Sequence, residues 1–157
     1  MRGKSMEKDT VLRARALIGE RTPLRSDCGQ LCGAACCQPD EDGQGGMYLF
    51  PGEEALLPGA GGDFAPIYTC DGRCAREERP LACRIFPLTP VKKEHGWGVK
   101  MDVRARAMCP LARFGTRGLD PEFVRAVRDA VRLIAADPEG EAFLEKWAAR
   151  EAEYELF

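Results

Sequence analysis

The chain has 157 residues, 45% of them hydrophobic and 31% charged, with a formal net charge of −2. That is the size and balance of a single globular domain, residues 1–157. The charge excludes a global basic field of the kind that draws a protein to nucleic acid, and no run approaches the roughly 20 apolar residues of a membrane span. Eight cysteines stand out against this ordinary background.

Residues 8–18 place Val11, Leu12, Ala14 and Ile18 at helical spacing and stop at Gly19, ahead of Pro23, which predicts a short helix. Arg2, Lys4, Lys8, Arg13 and Arg15 have no apolar run between them, so no secretory leader is expected and a cytoplasmic location is. Residues 26–46 lose all periodicity and collect glycine, cysteine, aspartate and Pro39. They read as a loop organised by something other than packing.

A strand is predicted over 47–50, halted by Pro51, then one or two helical turns over 52–57 and a surface connection at 58–62. A second strand at 67–69 delivers Cys70 into a loop that leads to Cys74. Residues 79–87 hold Pro80 near one end and Pro87 at the other, leaving room for a short helix with Cys83 inside it. Residues 88–91 and 97–103 bracket a polar connection at 92–96 suited to a hairpin.

Two helices are predicted to follow. Asp120-Pro121 and Asp137-Pro138 are cap and first-turn pairs. Phe123, Val127, Val131 and Ile134 recur at helical spacing after the first, and Phe143, Leu144, Trp147 and Ala148 after the second. Arg125 to Asp129 mixes both signs of charge and reads as a solvated helix face. The expected fold is α+β, a small cysteine-rich metal-binding core with short strands at 27–111, covered by the N-terminal helix and by a C-terminal helical hairpin at 120–157.

The cysteines are Cys28, Cys32, Cys36 and Cys37, then Cys70, Cys74, Cys83 and Cys109. The thiolate is the soft ligand that holds zinc, copper(I) or iron–sulfur clusters, so clustered thiols in a reducing compartment point to a metal. A disulfide framework needs an oxidising compartment and usually a chain too short to build a core, and this sequence suggests neither. Four cysteines between positions 28 and 37 are also too dense to be packing residues alone.

Tetrahedral zinc takes four N or S ligands, and short spacings let one loop supply two of them. Here the first cluster is C-x3-C-x3-C-C and the second pair C-x3-C, while Cys83 and Cys109 must be brought in by the fold. Counting allows two four-ligand sites, or one site and spare thiols. Adjacent side chains diverge on any regular backbone, so Cys36 and Cys37 are expected to serve different ions, or Cys37 to pack while Cys36 ligates. The expected metal is zinc, with iron or an iron–sulfur cluster as the alternative.

The Cys28-to-Cys37 cluster, the strand entering Pro51-Gly52-Glu53-Glu54, the segment Arg79-Pro80-Leu81-Ala82-Cys83-Arg84-Ile85-Phe86-Pro87 and the Cys109-Pro110 pair come in a characteristic order. This order resembles the CxxCxxCC cysteine-cluster family, the YkgJ-like proteins described as zinc- or iron-chelating. The resemblance spans about 27–111, with RPxxCRxFP matched at 79–87, and the first gaps here are three residues long. It implies a chelating site, for which all eight cysteines are the candidate ligands. A flagellin lysine methylase family is similar in carrying a comparable cluster, which implies a redox or transfer role as the second reading.

Arg79 and Arg84 flank Cys83, and Arg73 precedes Cys74. Four thiolates around a divalent ion leave a charge of about −2 that such cations are placed to offset. No catalytic motif is found: GxGxxG, the P-loop, HExxH, GxSxG and the zinc-deaminase signature are all missing. The ferredoxin run is not matched either, although Cys109-Pro110 has the form of its end. The single histidine, His95, falls in the hairpin connection, where a solvated side chain is expected. Two functions remain: a zinc-thiolate protein in a structural or storage role, or an iron–sulfur protein with an electron-transfer or redox-enzyme role.

Overall fold

The computed structural model describes residues 8–19, 47–53, 57, 67–68, 79–102 and 115–155. Their order is α1 (Lys8–Ile18), β1 (Met47–Tyr48), β2 (Ile67–Tyr68), α2 (Leu81–Ile85), β3 (Leu88–Lys93), β4 (Gly96–Met101), α3 (Pro121–Ala135) and α4 (Pro138–Glu155). The fold is α+β, with β1 pairing β2 and β3 pairing β4, both antiparallel.

In α1 the buried positions are Val11, Ala14, Arg15 and Ile18, the i, i+3, i+4, i+7 stripe of one helix face. Leu12 is 40% exposed, because it lies about 100° around the helix from Val11. Gly19 ends the helix at φ 57°, its N–H donating to the Arg15 carbonyl at 2.9 Å. Glycine adopts this left-handed closing conformation without a Cβ clash.

The first strand is shorter than its apolar run. Pairing stops at Tyr48, and Leu49 and Phe50 enter the core instead. The Phe50 ring lies 4.8 Å from that of Phe143 and 5.2 Å from that of Trp147, so contact with α4 claims the residues that the alternation assigns to a strand. Pro51 and Gly52 then turn the chain, and Glu53 opens a tight helical turn.

The second hairpin is also tighter than its sequence suggests. Pairing runs from Leu88↔Met101 to Lys93↔Gly96, which leaves Glu94 and His95 as the connection, both exposed. Gly96 has φ 131°, a conformation open to glycine and strained for other residues. Pro90 is accommodated inside β3 because in a two-stranded sheet each strand keeps an unpaired edge.

The two C-terminal helices start where the cap pairs place them. Asp120 accepts from the Glu122 N–H at 3.0 Å, and Asp137 from the Glu139 N–H at 3.0 Å. Phe123, Val127, Val131 and Ile134 are buried on α3, as are Phe143, Leu144 and Trp147 on α4. Gly140 lets the first turn of α4 pass so close to Ile134 that no Cβ fits there.

One hydrophobic cluster joins all of this, running from α1 through Phe50, α2 and the β3–β4 hairpin to α3 and α4. Helix α1 packs chiefly on α3, α3 also on β4, and α4 on β3. Helices from both ends of the chain therefore form a framework, and α2 with Cys83 is laid against it. None of the described helices is long and apolar enough to cross a membrane.

Candidate functional site

Cys83 lies at the centre of α2, the short helix inside the segment 79–87. Leu81, Ala82 and Ile85 are buried in the core, Cys83 is half-buried and packs against it, and Arg84 is half-buried. A helix of five residues makes few internal hydrogen bonds. Its position is therefore determined by what grips its ends.

The grip comes from Glu53. Its side chain is fully buried, and its Oε2 accepts from the Leu81 N–H at 2.9 Å. Leu81 is the first residue of α2, whose opening N–H groups have no partner inside the helix. Pro80, at the cap position, offers no side-chain hydrogen bond, so a carboxylate from a distant turn does that work. It also brings negative charge to the positive end of the peptide dipoles.

The same carboxylate is held from two further sides. Its Oε1 accepts from the Phe50 N–H at 2.9 Å, and its Oε2 from Arg15 Nη1 at 2.6 Å. Arg15 is itself buried, so this is a buried ion pair joining α1, the turn after β1 and α2. Burial pushes the Glu53 carboxyl above its ordinary value, against the opposing pull of the two backbone N–H groups and of the Arg15 guanidinium.

A second tie runs alongside. Arg84 donates through Nε to the Arg79 carbonyl at 2.9 Å and through Nη1 to the Gly19 carbonyl at 3.3 Å. It thereby fastens the end of α1 to the helix that carries Cys83. Pro80 accepts from both the Cys83 and Arg84 N–H groups at 3.0 Å. The chain then leaves α2 through the cis Phe86–Pro87 bond into β3.

Cys28, Cys32, Cys36, Cys37, Cys70, Cys74 and Cys109, together with Arg73, lie outside the described residues. Among the described residues no three His, Cys, Asp or Glu side chains gather as metal ligands would. His95 is exposed in the hairpin turn.

Sequence reasoning missed Glu53 and Arg15. Arg15 had a legible signal, since it stands at i+4 from Val11 and i−3 from Ile18 on the apolar face of α1. An arginine at such a position is buried against a partner or snorkels past the core. Glu53 follows a strand and a Pro-Gly turn, and nothing local distinguishes it from a solvated acid. Comparison with protein-family models, with curated proteins and with solved structures finds no match to this chain.

Proposed function

We propose that the chain is a cysteine-thiolate metal-binding protein, with zinc in a structural or storage role, and that it is related to the YkgJ-like cysteine-cluster proteins. The observation that carries this reading is the bunching and order of the eight cysteines. A donor set of soft thiolates suits zinc, copper(I) or iron–sulfur centres far better than a hard cation. The setting of Cys83 supports it: the thiol is half-buried, on a helix clamped at its first N–H by Glu53 and along its flank by Arg84. Ligands held in this way lose little freedom on binding, as a pre-organised site requires.

Cys28, Cys32, Cys36, Cys37, Cys70, Cys74, Cys83 and Cys109 are the proposed ligands, with Cys37 the candidate for packing instead. A bound zinc would supply fixed tetrahedral cross-linking of loops that have little apolar content of their own. The chain's part is to keep the thiols deprotonated and oriented. Arg84, adjacent to Cys83, is placed to offset thiolate charge while its guanidinium remains tied to Arg79 and Gly19.

The iron–sulfur reading uses the same thiolates and rests on the Cys109-Pro110 pair. Anaerobic purification followed by metal analysis and a visible spectrum separates the two. Zinc, being d¹⁰, gives a colourless protein, whereas an iron–sulfur cluster gives a brown one with iron and acid-labile sulfide. A chain that retains neither metal while its thiols stay reduced would refute the proposal.

A further inference from the structure

We propose that the groove between the 115–118 turn and the first two turns of α3 binds a small phosphorylated molecule, its phosphoryl group held by Arg117, Arg125 and Arg128. The groove has a volume of about 330 Å³, at the lower end of the range for small-molecule sites. It contains no cysteine, and the inference is independent of the thiolate reading.

Three arginines line this one groove. Arg125 and Arg128 are three residues apart on α3 and so are neighbours on its surface. Arg117 comes from the turn that precedes the helix. None of the three guanidiniums makes an ion pair or a hydrogen bond with the described residues. Of the acids nearest in sequence, Asp120 is half-buried and accepts from the Glu122 N–H as the cap of α3, Glu122 and Asp129 are exposed, and none of the three lines the groove. Like charges gathered around one concavity repel one another, and an anion placed among them removes that cost.

The chemistry of the donors selects the anion. A single guanidinium fork already satisfies a carboxylate. A phosphoryl group carries nearly two charges and three acceptor oxygens, which matches three arginines in a groove that Thr116 also lines. Leu119 and Val124 add an apolar wall for the rest of the ligand. A net charge of −2 over the whole chain favours an isolated phosphoryl group over a nucleic-acid backbone, which needs an extended basic track.

The test is calorimetric titration of the full chain, as purified, with inorganic phosphate, adenosine monophosphate and adenosine at low salt. Phosphate and the monophosphate should bind, the monophosphate more tightly, and adenosine should not. Arg125→Gln and Arg128→Gln should each weaken monophosphate binding by about 10-fold, as expected for loss of one charge-assisted contact. Their circular dichroism and melting temperature should match the parent, because both side chains reach solvent. No binding of phosphate or monophosphate at about 10 mM, well above any useful affinity, would overturn the proposal, as would unchanged affinity in both variants. Binding of single-stranded DNA that tightens with length, without monophosphate binding, would overturn it in favour of nucleic acid.

Discussion

Arg15 and Glu53, separated by 38 positions in sequence, form a buried ion pair with Nη1 and Oε2 2.6 Å apart. The carboxylate of that pair also caps the helix that carries Cys83. One side chain therefore links the N-terminal helix, the turn after the first strand and the cysteine-bearing segment. Its energetics follow from burial: desolvating two charges is expensive, and removing one partner leaves the other without its compensation.

Glu53→Ala should accordingly destabilise the fold by about 3–5 kcal/mol, the range for breaking a buried pair. It removes the acceptor for the Phe50 and Leu81 N–H groups as well as for Arg15. Glu53→Gln keeps an acceptor oxygen and should cost less. Urea unfolding of the three proteins under the same metal conditions provides the measurement. A loss below about 1 kcal/mol for the alanine variant, no more than an ordinary hydrogen bond, would mean that the network contributes little.

The raised Glu53 carboxyl makes a prediction about pH. Burial outweighs the hydrogen bonds and lifts the group above its reference value of 4.5, so between that value and the raised one the folded chain holds a proton that the unfolded chain has lost. Its contribution to stability is then full below 4.5 and falls as pH rises through the folded-state value. The stability of the parent relative to Glu53→Gln, which has no proton to exchange, should increase as pH is lowered from about 7 to about 4. The opposite slope would show that Arg15 and the two backbone N–H groups outweigh desolvation.

Gly140→Ala should destabilise the protein by about 1–3 kcal/mol, the usual cost of overpacking. A Cβ at this position would overlap the Ile134 carbonyl oxygen and lie 2.9 Å from Ile134 Cγ2, forcing the α3–α4 corner apart. In an open helix the same substitution is stabilising. Thermal unfolding of the variant decides which holds, and a raised melting temperature would mean that the corner opens without cost.

Cys83→Ser should lower the metal content per chain, because a neutral hydroxyl replaces a soft thiolate. Its structural effect should be modest, since Cys83 is only half-buried where it packs against the core and the fully buried contacts of α2 are made by Leu81, Ala82 and Ile85. Metal analysis beside circular dichroism checks both halves. Unchanged stoichiometry would remove Cys83 from the ligand set. Stripping the metal from the parent should in turn lower its unfolding temperature, because binding free energy at such sites is folding free energy.

The sequence by itself determined the local elements. Asp120-Pro121 and Asp137-Pro138 start their helices because caps act within one turn. The apolar positions of α3 and α4 follow a 3.6-residue period that burial enforces. The thiol-rich composition, and the soft-metal chemistry it points to, is also a matter of residue type alone.

Only the tertiary structure decided where the first strand stops and what holds Cys83. Phe50 leaves the strand for Phe143 and Trp147, residues from the other end of the chain. Glu53 reaches Leu81 across 28 positions and Arg15 across 38. Propensity and periodicity act between near neighbours, whereas a buried carboxylate depends on which donors the packing brings to it. That is why an acid with the local appearance of a solvated residue is instead the fully buried cap of the cysteine-bearing helix.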